Sequence, residues 1–270
     1  LLMQPEHPYT GYYPEDDYCN ETNLVRETIQ VISNKTKRMV HLVEIPLEES
    51  DFLENLEQNI DVLGVPAGGL GCIMEHITLK KFLEDFPEDD RPTAVVFGNG
   101  GDEIFMGYFW NHYIRDMVQG GRKTTRLFPG FEPSADKITT DLVDWAIISA
   151  MNRGTNEALT SPFITEHFLP RLRTLEHAIQ KILYVNINIT LPTLLHINNQ
   201  ITLSNNVKGY NPLASSKIID IAETVNTPMP IIPKQFLRDL NPDLPDNIRL
   251  NIVKRGFPLP IRRWPEANKA

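Results

Sequence analysis

The sequence predicts an α/β protein, a partial parallel sheet flanked by helices and followed by a helical C-terminal half. Three observations carry this reading. Strand-like and helix-like patterns alternate from Tyr9 to about residue 108. The β-branched run Thr93-Ala94-Val95-Val96-Phe97 has the composition of a strand buried on both faces of a parallel sheet. From Thr139 to about Thr202, apolar residues recur at helical spacing.

In chain order, Tyr9-Thr10-Gly11-Tyr12 reads as a short strand before the acidic loop Pro14 to Asp17. Asn20 or Thr22 caps a helix that runs to about Ser33, with Leu24, Val25, Ile29 and Ile32 on its apolar face. Met39 to Ile45 is the next strand, ended by Pro46, and a helix from about Glu49 to Ile60 turns Phe52, Leu53 and Leu56 inward. Pro66-Ala67-Gly68-Gly69 makes a turn before a helix from about Gly71 to Phe86. His76 lies on that helix and reads as a helix-face residue rather than a ligand, since no second histidine stands at metal spacing. Gly120-Gly121 and the stretch Phe128 to Pro133 divide an α/β part, 1–130, from a mostly helical part, 131–270. In the latter, Leu142, Val143, Ala146, Ile147 and Met151 form one stripe, and a longer helix spans Leu172 to Val185. Leu213 to Val225 and a segment from Phe236 add two shorter helices.

Composition narrows the function classes. A net charge of −9 argues against a nucleic-acid groove or an anionic membrane as the main partner. Two cysteines, Cys19 and Cys72, support neither a disulfide framework nor a multi-cysteine zinc site. No apolar run approaches transmembrane length, and three Asn-X-Thr triplets stand without a signal peptide. A reducing, cytoplasmic setting is expected. The chain opens at Leu1 rather than methionine, so its true start is expected to lie upstream.

Chemistry concentrates at two places. After the strand at Thr93 come Gly98-Asn99-Gly100-Gly101-Asp102-Glu103, where glycines allow a sharp turn and a close backbone approach to a ligand. A helix beginning at Asp102 would aim N–H groups at a phosphate. Two carboxylates at that mouth would repel it unless a divalent cation intervened. The plainer alternative is that Asp102 and Glu103 only cap the helix, worth about 0.3–1 kcal/mol. The second place is Lys254-Arg255-Gly256-Phe257-Pro258-Leu259-Pro260, which glycine and proline keep from being helical. It is either a cationic loop over a phosphate site or a solvated loop that packs Phe257 and Trp264 on the helical part.

Together these pieces resemble the synthetase domain of glutamine-hydrolysing asparagine synthetases, which are ATP pyrophosphatases with an adenine nucleotide alpha hydrolase-like fold. The family motif S-G-E-G-A-D-E-[LI]-F-G-G-Y is matched by Phe97 to Tyr108 at eight of twelve positions. The closing K-x-G-F-x-x-P is matched by Lys254, Gly256, Phe257 and Pro260. Leu191 to His196 looks like the Y-L-P-x-x-L-L segment, and Asn205 to Ser215 lies where S-L-E-x-R-x-P-F-L-D is expected. The resemblance implies activation of aspartate or a similar carboxylate by ATP as an acyl-adenylate, with release of pyrophosphate and then amidation by ammonia. Asp102 would bind Mg²⁺–pyrophosphate, and Lys254 would be the transition-state lysine. Gly98, Gly100 and Gly101 would shape the substrate-side loop with support from Glu103, these residues and Phe97 would count among the cofactor-binding set, and Asn99 would read the second substrate. A glutaminase domain or subunit is the implied partner.

The departures from that family are specific. The pyrophosphate loop S-G-G-x-D-S occurs nowhere in the sequence. In this fold its strand lies between the strands at Tyr9 and Thr93, so these 270 residues alone are expected to be inactive. Phe97 replaces the first serine and Asn99 the substrate-reading glutamate, while Lys208, Tyr210 and Ser215 replace Glu, Arg and Asp of the third segment. These changes leave two other readings, a non-catalytic nucleotide-binding or interaction relative and a relative that closes a lactam or peptide ring.

Overall fold

The structure is a computed structural model that describes residues 7–64, 71–108, 111, 162–175, 177–224, 232–251, 259–261 and 263–266. The Pro66 turn, the Leu142 to Met151 stripe, the glycines at 120–121, the Phe128 to Pro133 stretch, and Lys254 to Pro258 lie outside the described residues. The elements in order are β1 (Tyr9–Tyr12), α1 (Thr22–Thr36), β2 (Val43–Pro46), α2 (Glu49–Leu63), α3 (Gly71–Glu84) and β3 (Ala94–Val96). They continue with α4 (Leu169–Arg173), α5 (Ala178–Val185), α6 (Leu191–Ser204), β4 (Lys208–Tyr210), α7 (Ser216–Glu223), α8 (Gln235–Asp239) and α9 (Asp246–Arg249). Two compact units interleave along the chain. The first holds Leu1–Phe97, Thr193–Tyr210 and Leu240–Ala270; the second holds Gly98–Pro192 and Asn211–Asp239.

In the first unit, β1 pairs with β2 and β3 with β4, both in parallel, with Tyr9 opposite Val43 and Ala94 opposite Lys208. The described strands therefore form two separate short sheets flanked by helices. α3 packs on the β1–β2 sheet and is buried nearly all round, as a helix inside a core must be. It comes so close to β1 that a Cβ on Gly11 would lie 2.7 Å from Leu47 Cδ1 and 2.9 Å from Thr78 Oγ1. A larger residue there would have to displace the Leu47 and Thr78 side chains.

Several local expectations are corrected. Neither Asn20 nor Thr22 caps α1, because Asn20 spends its amide on Tyr13, accepting from its N–H and donating to its C=O at 2.7 Å each. Glu21 takes the cap position without a side-chain bond. α2 starts from a reciprocal capping box between Glu48 and Asp51 and ends at Gly64 in the left-handed region. β3 is buried on one face only. Val95 is inside with Ile197, Ile201 and Val207, whereas Ala94 and Val96 are exposed, since the core lies on the Val95 side alone.

His76 is a core histidine. Its Nδ1 lies 2.6 Å from Asn59 Oδ1 and its Nε2 3.2 Å from Ser204 Oγ. Asn59 already donates through Nδ2 to the Asn55 carbonyl, so its oxygen accepts from a protonated Nδ1, and Nε2 faces the Ser204 hydroxyl, which also reaches the Ile201 carbonyl at 2.9 Å. Burial holds the ring neutral. The chain ties α2, α3 and α6 together inside the first unit. Trp264 packs against the core of the first unit, its ring meeting Tyr13 and Phe52 at centroid distances of 5.6 and 5.9 Å.

The second unit is mostly helical among its described residues. The helix expected over Leu172 to Val185 is broken, with α4 ending at Arg173 and α5 starting at Ala178. Wider π-type turns occupy Phe163–Phe168 and Asn186–Thr190. Its core gathers Leu172, Ile179, Ile182, Leu183, Val185 and Ile187, and Phe168 stacks on Tyr184 at 5.1 Å.

Candidate functional site

Asp102 and Glu103 do not open a helix. From Gly98 to Gly107 the chain makes consecutive tight turns, with Gly101 N–H donating to Gly98 C=O, Ile104 to Gly100 and Gly107 to Asp102. The composition that reads as a helix start is overridden by the backbone: Gly100 sits at φ +93° and Met106 at +58°, both outside the helical region. At Gly100 a Cβ would come 2.8 Å from the Leu213 carbonyl carbon and 2.9 Å from the Ala214 nitrogen, so this glycine lets two backbones touch. Gly101 is tight only against Gly98 O, at 3.0 Å, and Gly98 has open space around it.

The two carboxylates are held differently. Glu103 is buried and saturated. It accepts the Gly100 N–H at 2.8 Å and the Tyr108 hydroxyl in a short contact, and its own C=O accepts Asn186 Nδ2 at 3.0 Å. The π-type turn at Asn186–Thr190 sets that asparagine on the turn. Burial, then the neighbouring Glu103 charge, keeps the Tyr108 phenol protonated, so it remains the donor. The Gly100 N–H, which a helix-mouth reading would aim at phosphate, points at this internal carboxylate instead.

Asp102 instead faces a cation. Lys234 Nζ lies 3.1 Å from its Oδ1, with about a third of the lysine side chain exposed. The backbone of Lys234 is fixed on the same turn, its N–H donating to Phe105 C=O at 3.1 Å, and Phe236 stacks on Phe105 in nearly parallel planes. A Cβ on Gly107 would overlap both Asp102 Oδ1 and Lys234 Cε. Sequence reasoning missed Lys234. It stands in Pro233-Lys234-Gln235, with no glycine, motif or periodicity to mark it, and only tertiary contact reveals it.

Phe97 is partly buried in the first unit, with its N–H bonded to Tyr210 C=O at 2.8 Å. Asn99 is partly buried, and among the described residues its amide nitrogen finds no hydrogen-bond partner. Lys254 lies outside the described residues. Among the described residues no group of three or more His, Cys, Asp and Glu could enclose a metal ion. One carboxylate, Asp102, suits a Mg²⁺ that draws its other ligands from phosphate oxygens and water.

The sequence profile of the family described as asparagine synthase matches residues 30–270. The chain belongs to the asparagine synthase family. Neither a search of curated proteins nor one of solved structures returns a match. Membership in the asparagine synthase family supports an ATP-dependent, ligase-type enzyme acting on small molecules. Among the described residues no helix is long and apolar enough to cross a membrane.

Proposed function

We propose that the protein is an amide-forming ligase that activates a carboxylate, aspartate or a similar acid, as an acyl-adenylate with pyrophosphate release, before ammonia displaces AMP. The observation that carries it is Asp102, held on a glycine-rich turn opposite a lysine within a chain whose family profile covers residues 30–270. Bound Mg²⁺ would supply charge neutralisation on the phosphates. Asp102 contributes its carboxylate to that ion, and Glu103 and Tyr108 lock the turn that presents it. Gly98, with open space at its Cβ position, leaves the backbone accessible to a nucleotide, while Gly100 and Gly101 shape the turn. Lys254 supplies the cation at the reacting phosphorus and acyl centre. Asn99, a neutral amide, reads the second substrate, and a glutaminase domain or subunit provides the ammonia.

The test is pyrophosphate release by the full chain with ATP, Mg²⁺ and ammonia across a panel of carboxylates that begins with aspartate. Release with aspartate supports the specific form, and release with another acid alone supports the broader form with a different substrate. A second reading, a non-catalytic relative, is favoured by Asn99, Lys208 and Tyr210 standing where the family carries Glu, Glu and Arg, and by Glu103 occupying the Gly100 N–H. It requires ATP·Mg²⁺ to raise the melting temperature while no carboxylate yields pyrophosphate.

A further inference from the structure

We infer that Lys234 is a resident cation for Asp102. It bars a divalent ion from binding that carboxylate alone, and releases it when phosphate oxygens arrive to accept the ammonium. The inference rests on the reading of Asp102 as the metal-binding carboxylate and adds a positioning residue that couples metal to phosphate.

The geometry holds this ammonium in place. Lys234 adopts φ +54°, a conformation that non-glycine residues avoid, and it does so within a closely bonded segment. Its N–H holds Phe105 C=O at 3.1 Å, its C=O accepts Arg238 N–H at 3.1 Å, and Arg238 Nε donates to Pro233 C=O at 2.6 Å. Phe236 lies on Phe105 at a centroid distance of 6.0 Å. The segment is thus fastened to the turn at Lys234 and Phe236, and Gly107 leaves the stem room to reach Asp102. Glu103 turns its two oxygens to the Gly100 N–H and the Tyr108 hydroxyl.

Charge decides the consequence. An ammonium 3.1 Å from the carboxylate repels a dication seeking the same oxygen. A lysine carries a compact charge on a flexible stem, so it can turn from carboxylate to phosphate with its backbone unmoved. A partly exposed pair is weak enough to be opened by a ligand that offers both a metal and anionic oxygens. Metal and polyphosphate should therefore raise each other's affinity by the same factor.

The experiment uses the full chain, Mn²⁺ as the metal probe and inorganic pyrophosphate as the anion, with free Mn²⁺ read by electron paramagnetic resonance. In the unaltered protein Mn²⁺ alone binds weakly, and pyrophosphate tightens it by about 10-fold or more. Lys234→Met is expected to bind Mn²⁺ alone about 10-fold tighter and to lose most of the pyrophosphate effect. Lys234→Arg, which keeps the charge, is expected to retain the original pattern and controls for folding. Equal Mn²⁺ binding in the unaltered protein and Lys234→Met, with the same pyrophosphate effect, overturns the role of Lys234 alone. Mn²⁺ binding that Asp102→Asn leaves unchanged in every state overturns the Asp102 reading and this one with it.

Discussion

Asp102 and Lys234 face each other at 3.1 Å across a turn in which Gly107 has no room for a side chain. The pair joins a segment rich in motif residues to one the sequence leaves unmarked, and it divides the turn's two carboxylates by task. Glu103 is spent inward on Gly100 and Tyr108, and Asp102 is turned to a cation.

The glycines of the turn should rank by what a methyl group would strike. Gly100→Ala meets backbone at 2.8–2.9 Å and forces an alanine to φ +93°, so a loss of about 2 kcal/mol or more is expected. Gly107→Ala overlaps Asp102 and Lys234 and should cost about 1–3 kcal/mol. Gly98→Ala meets nothing within 4 Å and should lie within about 0.5 kcal/mol of the parent. Urea denaturation of the three variants checks the order, and equal losses would refute it.

Tyr108→Phe removes a donor from the buried Glu103 carboxylate without changing shape. A loss of about 1–3 kcal/mol is expected, because a charged acceptor is left one partner short. Adding Glu103→Gln should make the second change cheaper than in the parent, and a double-mutant cycle by thermal denaturation measures that coupling. Strict additivity would show that the contact carries no energy.

Glu75 gives a pH dependence. Burial raises its carboxyl from 4.5 to about 7. Between those two values the folded protein keeps a proton that the unfolded chain has released, so stability falls as pH rises from 4.5 towards 7 and stays low above. Glu75→Gln, which cannot ionise, should raise the melting temperature more at pH 8 than at pH 5. A gain independent of pH would contradict burial of an ionising carboxyl as the cause.

The one-sided burial of β3 can be tested by paired truncations. Val95→Ala empties a core position and should cost about 2 kcal/mol, whereas Val96→Ala, 44% exposed, should cost well under half of that. Chemical denaturation separates the two. Similar losses would mean that something covers Val96 in solution.

Sequence by itself determined the family, the α/β class and the positions of β1, α2, α3 and β3 to within a few residues, because hydrophobic periodicity and turn residues are local signals. It also marked Asp102 and Glu103, since a glycine-rich run ending in two acids is unusual without reference to anything distant. Only the tertiary structure decided what those acids do. Whether Glu103 is saturated or Asp102 is paired depends on Tyr108, Asn186 and Lys234, the last two 83 and 132 residues away. The same holds for Asn20, whose capping chemistry was diverted to Tyr13, and for β3, whose apolar composition hid an exposed face. A side chain's identity fixes which bonds it can make, but the partner that folding brings within reach fixes which one it makes.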